Sequence, residues 1–280
     1  MKFSLCNEVL AEFGLERQCE IAAALGYDGL EVAPFTLAEA PERITSAEAA
    51  SFRRTIESFG LRVTGLHWLL VKPAGLSLTD PDAALRARTL DVMRRLTALC
   101  AELGGSVLVH GSPKQRQVAP GDPPAVALQR LQDALASIAD VAGAHGVTYC
   151  IEPLSQRETT LVNTVAEAAA IVRAIDNPHL RTMIDCSAAG STETMSVPEL
   201  IDRWLPTGLI AHIQVNDPNR RAPGQGDLRF APILAALQRQ HYAGVVSVEP
   251  FDYVPDGIGS AAFAIGHLRG LHEALAGPSA

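Results

Sequence analysis

The chain has 280 residues, of which 48% are hydrophobic and 19% are charged, and this composition excludes a disordered or fibrous protein. Its 23 basic and 31 acidic residues give a net charge of −8, which disfavours a nucleic-acid partner. No uncharged run approaches the ~18 residues of a membrane span, and the N-terminus has no signal-peptide pattern. We therefore expect a cytoplasmic protein without a membrane partner.

The cysteines are odd in number, widely spaced and free of any C-x-x-C motif. This pattern is typical of neither a disulfide framework nor a zinc finger. We expect single buried thiols at Cys6, Cys19, Cys100, Cys150 and Cys186.

Short β-branched runs alternate with longer Ala- and Leu-rich amphipathic runs along the chain. The short runs are bounded by Gly or Pro and are dense in Val, Ile and Leu, which is typical of parallel strands buried on both faces. In chain order they are KFSLCN, YDGLEVAP, LRVTGLHWL, GSVLVHG, VTYCIEPL, LRTMIDCS, LIAHIQVND and GVVSVEPF.

Helical runs with recognisable start and stop signals lie between these strands. A glycine at the end of such a run can adopt the left-handed conformation that closes a helix. Three helices are predicted in this way: from near Ser46 to Gly60, from Thr79-Asp80-Pro81 to Gly104-Gly105, and from Pro123-Pro124 to His145-Gly146.

Eight strand–helix repeats without a break in composition predict an α/β protein, a single (β/α)₈ TIM barrel. We expect one domain over residues 1–280, with a frayed tail at 275–280. An open doubly wound sheet is the alternative, and it normally has a Gly-rich turn after the first strand. The turn here is CNEVLAEFGLE, so the barrel is preferred and no nucleotide cofactor is expected.

In such a barrel the active site is built from residues at the C-terminal ends of the strands. Glu152, Asp185, His212 and Glu249 end strands five to eight. Buried carboxylates that converge need a cation among them, and this donor set suits Mn²⁺, Mg²⁺ or Co²⁺. One such residue alone is more often a salt-bridge partner or a packed imidazole. Their recurrence on consecutive strands favours a metal site.

Several segments resemble the xylose isomerase-like TIM-barrel superfamily, also described as the sugar phosphate isomerase/epimerase group. They are GLHWLL, CIEPLSQRETTLVNT, MIDCSAAG, HIQVNDPNRRAPGQGDLRF and VSVEPF, and the resemblance covers essentially the whole chain. It implies one divalent metal ion on Glu152, Asp185, His212 and Glu249, with Mn²⁺ our first expectation. It also implies that Glu152 and Glu249 are the catalytic acid/base pair. In this chemistry the metal stabilises an enediolate while the two carboxylates exchange a proton on opposite faces.

The resemblance also implies a substrate-binding set. Glu158 matches a glutamate that stands six residues after the strand-five ligand, whereas Ala188 replaces the usual histidine three residues after Asp185. Pro218 stands where an arginine is usual, six residues after His212, and Arg220 or Arg221 is a substitute. The predicted substrate-binding residues are His67, His110, Glu158, Asn216 and Arg220.

Two of these assignments have open alternatives. His67 and His110 either bind substrate or are packed imidazoles. The Arg220 loop either docks a phosphorylated or carboxylated substrate or faces water. Glu31, at the end of strand two, is expected only to support the rim.

The first functional hypothesis is a divalent-metal-dependent isomerase or epimerase of a small sugar or sugar acid. The alternative is a lyase or dehydratase of the inosose-dehydratase or C-glycoside-cleaving kind, because that chemistry begins with the same proton abstraction. An AP endonuclease is disfavoured, since its zinc cluster needs histidines where Ala188 and Arg229 stand. A non-catalytic sugar binder has no need of two proton-transfer groups. Homo-oligomer formation is left open.

Overall fold

The computed structural model of the chain describes residues 1–276. Eight parallel strands close into a barrel in sequence order, and β1 pairs with β8. This confirms the predicted (β/α)₈ TIM barrel. The strands are β1 Lys2–Cys6, β2 Gly29–Val32, β3 Arg62–Leu66, β4 Val107–His110, β5 Thr148–Ile151, β6 Leu180–Asp185, β7 Ile210–Val215 and β8 Val245–Val248.

Helices surround the barrel and begin and end where local signals predict. Thr45 caps α2 reciprocally with Glu48, and Gly104 ends α3 at a φ of 85°. The bounds are α1 Leu15–Leu25, α2 Ser46–Ser58, α3 Ala83–Leu103, α4 Pro124–Ala144, α5 Val165–Ile175, α6 Cys186–Thr192, α7 Val197–Trp204, α8 Phe230–Arg239 and α9 Gly257–Ala276. The expected frayed tail is therefore helical at residues 275 and 276, and residues 277–280 lie outside the described residues.

Side chains alternate along each strand, so one face of a strand packs under the helices and the other face points into the barrel. On β7, Ile213 and Val215 pack in the apolar core beneath the helices, whereas His212 and Gln214 are hydrogen-bonded to Glu31. The five cysteines are buried and free, as expected. Within residues 1–276, no helix is long and apolar enough to cross a bilayer. The alternation on β7 places polar side chains inside the barrel, and all eight parallel strands end around one mouth.

The close approach of β3 and β4 generates a stability prediction. A Cβ atom at Gly65 would lie 2.4 Å from the carbonyl oxygen of Val107, its partner on β4. This oxygen belongs to the sheet backbone and cannot move freely, so we expect Gly65→Ala to lower the free energy of unfolding by about 1–3 kcal/mol. Urea denaturation measures the change.

Gly266→Ala is the matched control. Gly266 lies in α9, where an added Cβ would meet no atom within 4 Å. The substitution should leave stability unchanged or raise it by about 0.5–1 kcal/mol, because alanine favours the helix. Equal stability of the Gly65→Ala and wild-type proteins would contradict the contact.

Candidate active site

Three carboxylates from separate strands meet at the C-terminal mouth of the barrel. Glu152 directly follows β5, Asp185 ends β6 and Glu249 directly follows β8. All three are buried, and one oxygen of each lies within 4.8 Å of the others. Parallel strands of a barrel end at the same face, so residues far apart in the sequence converge here.

Burial and mutual repulsion raise the pKa values of these carboxyl groups. Burial is the main cause in each case, and it raises the pKa of Asp185 to about 7 and that of Glu249 to about 8. For Glu152, the charges of Glu249 and Asp185 add to burial and hold the pKa well above its ordinary value. A divalent cation would relieve this repulsion.

Two oxygen atoms of this region have no hydrogen-bond partner among residues 1–276, namely Asp185 Oδ2 and Gln214 Oε1. Asp185 Oδ1 accepts from the backbone N of Ala188, and Gln214 Nε2 donates to Glu31 Oε1 at 3.0 Å. Gln214 stands opposite Asp185 in the β6–β7 register. Unpartnered buried oxygens are unfavourable, and oxygen ligands are what a hard divalent cation requires. The donor set therefore fits a bound metal ion.

His212, the fourth predicted metal ligand, lies deeper in the barrel. It is two residues before Gln214 on β7 and opposite Met183, which places it about 6–7 Å further from the mouth. Its Nε2 is 2.8 Å from Glu31 Oε2. The structure thus brings three of the four predicted ligands together and pairs His212 with Glu31 instead.

Glu31 forms the floor beneath the carboxylate group. Burial raises its pKa, but the charge and hydrogen bond of His212 outweigh burial and hold the pKa at about 2. The ionised carboxylate also accepts from Gln214. Glu31 therefore orients the side chain that stands opposite Asp185.

Two of the predicted substrate-binding residues make contacts within the protein. His67 has Nδ1 2.8 Å from Glu249 Oε1 and Nε2 2.9 Å from Glu8 Oε2. Asn216 accepts from the backbone N of Ser187 at 2.8 Å and donates to the carbonyl of Glu249 at 3.0 Å. These contacts support the rim.

His110 and Arg116 lie beneath the mouth with unpartnered nitrogen atoms. His110 Nδ1 is 2.9 Å from the Tyr149 hydroxyl, and burial together with the Arg116 charge lowers its pKa to about 3. Within the described chain, His110 Nε2 and the three guanidinium nitrogens of Arg116 have no hydrogen-bond partner. Arg116, fully buried in the turn after β4, was not among the residues predicted from sequence. A loop arginine gives no sequence signal of burial.

A cleft opens over the carboxylate group. The predicted residues Glu158 and Arg220 both line it, and so do Ala188 and Pro218. Ala188, which replaces the histidine that the resemblance implies, therefore shapes the cleft directly. The full lining is Glu152, Leu154, Ser155, Arg157, Glu158, Asp185, Ser187, Ala188, Ser191, Pro218, Arg220 and Phe251.

Aromatic rings form one side of the mouth. Phe35, Trp68 and Phe251 stand in a row with centroid separations of 5.8 and 5.6 Å, and the guanidinium of Arg220 lies 4.5 Å over the Phe251 ring. Stacking on the ring holds Arg220 at the cleft. An apolar wall beside polar groups suits the mixed surface of a sugar.

Gly111, directly after β4, packs against Glu152. A Cβ atom at this position would lie 2.3 Å from Glu152 Oε2. Only a residue without a side chain leaves room for this carboxylate.

The sequence model of the xylose isomerase-like TIM-barrel family matches residues 19–271. The chain belongs to this family. D-psicose 3-epimerase of Agrobacterium fabrum is 30% identical over 265 residues, which cover 91% of this chain and 84% of the relative. 2-Oxo-tetronate isomerase of Pectobacterium atrosepticum is 30% identical over 161 residues, covering 56% of this chain and 59% of the relative.

A solved structure of L-ribulose 3-epimerase has the same fold, with a TM-score of 0.83 at 22% identity and coverage of 100% of this chain and 99% of that one. The resemblance found in the motifs is thus confirmed. The family relatives are named as sugar epimerases and isomerases, as the sequence predicted.

The spacing of the residues after β7 meets the pattern that the resemblance implies if Gln214, rather than His212, takes the strand-seven position. Counted from Gln214, Arg220 stands six residues on, which is the separation that the resemblance implies for the arginine. Counted from His212, the same step reaches Pro218.

The raised pKa of Asp185 generates a pH prediction. Folding raises this pKa from 3.8 to about 7, so the stability it contributes is present below its unfolded pKa and is lost as pH rises through about 7. Asp185→Asn cannot titrate and keeps the Oδ1 acceptor for Ala188. Between pH 5 and 8, the metal-free wild type should lose free energy of unfolding relative to this variant. Urea denaturation in chelator measures the difference, and a constant difference would contradict the raised pKa.

Proposed function

We propose that the protein is a divalent-metal-dependent epimerase or isomerase of a small sugar or sugar acid. The observation that carries the proposal is the buried group of Glu152, Asp185 and Glu249 at the barrel mouth. The names of the relatives, D-psicose 3-epimerase and 2-oxo-tetronate isomerase, support this reaction class.

We assign one metal ion to Glu152, Asp185 and Glu249, with Gln214 Oε1 as the fourth donor in place of His212. The register that sets Gln214 opposite Asp185 and the unpartnered state of Oε1 support this assignment. An all-oxygen donor set suits Mn²⁺, our first expectation, or Mg²⁺. When bound, the ion supplies stabilisation of the negative charge that develops on substrate oxygens as a proton leaves.

Glu152 and Glu249 are the proposed acid/base pair. They come from strands three positions apart in an eight-stranded barrel, so they approach a bound substrate from different sides. One carboxylate removes a proton from the carbon beside the substrate carbonyl, and the other returns a proton to the opposite face.

The cleft residues are proposed to hold the substrate. Glu158 accepts from hydroxyl groups while Arg220 donates to substrate oxygens, and both face the cleft. His110 Nε2 and the Arg116 guanidinium supply further unpartnered donors or acceptors beneath them. A phosphate or carboxylate on the substrate would meet the arginines.

The lining residue Ala188 favours a second candidate, the lyase or dehydratase. Because an alanine stands here, a substrate hydroxyl near Asp185 lacks the histidine that usually binds it in the group. A leaving group expelled after proton removal would give an unsaturated product, whereas epimerisation or isomerisation gives an isomer.

Substitution of the acid/base pair tests the mechanism. We expect Glu152→Gln and Glu249→Gln each to lower kcat by about 10²–10⁴-fold, because proton transfer at one face is lost while the shape is kept. NMR in deuterated water on D-psicose, L-ribulose and 2-oxo-tetronate follows both the product and deuterium uptake. Full activity in both variants would refute the assignment, and an unsaturated product would favour the lyase.

Metal titration tests the fourth ligand. Gln214→Met removes the oxygen donor and should weaken Mn²⁺ binding by at least about 10-fold. His212→Gln can still donate to Glu31, so it should lower thermal stability but leave the Mn²⁺ affinity within about 3-fold. Isothermal titration calorimetry compares the two variants. The opposite ranking would restore His212 as the ligand.

A further inference from the structure

A buried histidine joins two glutamates at the ends of different strands. The ring nitrogens of His67 lie 2.8 Å from Glu249 Oε1 and 2.9 Å from Glu8 Oε2. The side chains of His67, Glu8 and Glu249 are 1%, 4% and 5% exposed. The contact with Glu249 is a hydrogen bond. The Glu8 oxygen is equally near but lies outside hydrogen-bond geometry, and His67 Nε2 and both Glu8 oxygens have no hydrogen-bond partner within residues 1–276.

The turn that carries Glu8 is itself anchored. Glu8 lies in a 3₁₀ turn over Asn7–Leu10, directly after β1. The Asn7 side chain accepts from the backbone N of Ala33 at 2.8 Å and donates to Thr36 Oγ1 at 2.7 Å. It also donates to Gln18 Oε1 at 2.9 Å. Glu8 is thus presented to His67 from a backbone with little freedom to move.

Glu249 belongs both to this cluster and to the carboxylate group with Glu152 and Asp185. Its Oε1 is held by His67, which leaves Oε2 for the substrate side. A carboxylate placed among other buried carboxylates is pushed away from them unless a donor fixes it. His67 supplies that donor from the opposite flank of the residue.

We propose that Glu8 and His67 form a positioning relay, in which Glu8 orients the imidazole of His67 and His67 fixes the carboxylate of Glu249 for proton transfer. The relay rests on the proposed acid/base function of Glu249. It gives Glu8 a role outside the residues predicted from sequence, and it makes both Glu8 and His67 positioning residues that act through Glu249.

A second metal ion is the competing explanation. Cys6, Glu8, His67 and Glu249 each offer a ligand atom within 4.8 Å of the others. A metal ion among them would take Nε2 of His67 and leave the hydrogen bond between Nδ1 and Glu249 in place. The two explanations therefore differ in the number of metal ions bound, which metal analysis measures.

A double-mutant cycle tests the relay in the metal-loaded enzyme. We expect Glu8→Ala to lower kcat about 10-fold and His67→Ala about 100-fold, with KM changed less than about 3-fold. Because Glu8 acts only through His67, adding Glu8→Ala to His67→Ala should lower kcat by less than about 2-fold. If Glu8→Ala lowered kcat by the same factor in the wild-type and the His67→Ala proteins, or if it changed only KM, the relay would be wrong.

Tyr27→Phe is the control for a simple loss of stability. The buried Tyr27 hydroxyl donates to the carbonyl of Ala261 at 2.8 Å, away from the cleft. The variant should lower the melting temperature without lowering kcat. A fall in kcat equal to that of Glu8→Ala would show that general destabilisation explains the effect.

Two measurements decide the relay without activity, so its failure is distinct from failure of the proposed function. In ¹⁵N-labelled metal-free protein, we expect a downfield ring Nδ1–H signal from His67, hydrogen-bonded to Glu249, which Glu8→Ala shifts upfield or broadens. An Nδ1–H signal that Glu8→Ala leaves unchanged would overturn the relay. Metal analysis should give one Mn²⁺ per chain in both proteins, and a second equivalent lost in Glu8→Ala would assign the cluster to metal binding instead.

Discussion

Repulsion among buried carboxylates is the constraint on which the rest of the barrel mouth depends. Glu152, Asp185 and Glu249 converge because parallel strands end together, and burial makes their charges costly. The surrounding residues compensate for this cost. The His67 imidazole contacts Glu249, and the His212 imidazole contacts Glu31, which accepts from the neighbouring Gln214. The buried Arg116 guanidinium opposes the rise in the Glu152 pKa. The fold brings the three carboxylates together, and these neighbouring side chains lower the energetic cost of burying their charges.

The fold and the three converging carboxylates could be predicted because both follow from short-range patterns. A buried strand is visible as a run of β-branched residues, and its C-terminal end marks the site. The depth of a residue inside the barrel is not visible in this way. His212 and Gln214 share one face of β7, and only the pairing of β7 with β6 decides which of them stands beside Asp185.

Glu8 and Arg116 illustrate a different limit. Both stand in turns after strands, where charged residues are usually solvated. Their burial depends on residues distant in sequence, such as His67 for Glu8 and Glu152 for Arg116. A single sequence contains no local signal of such neighbours, so buried polar networks are the part of a site that sequence patterns reveal least.

The contact between Gly111 and Glu152 means that some positions at the mouth tolerate substitution and others do not. Ala188 and Pro218 line the cleft, so exchanging them would reshape the space around a substrate while the carboxylates stay in place. Any side chain at residue 111 would occupy the space of the Glu152 carboxylate. A directed-evolution library aimed at new substrates would therefore keep Gly111 constant and diversify α6 and the loop after β7. New specificity can then arise without loss of the three carboxylates.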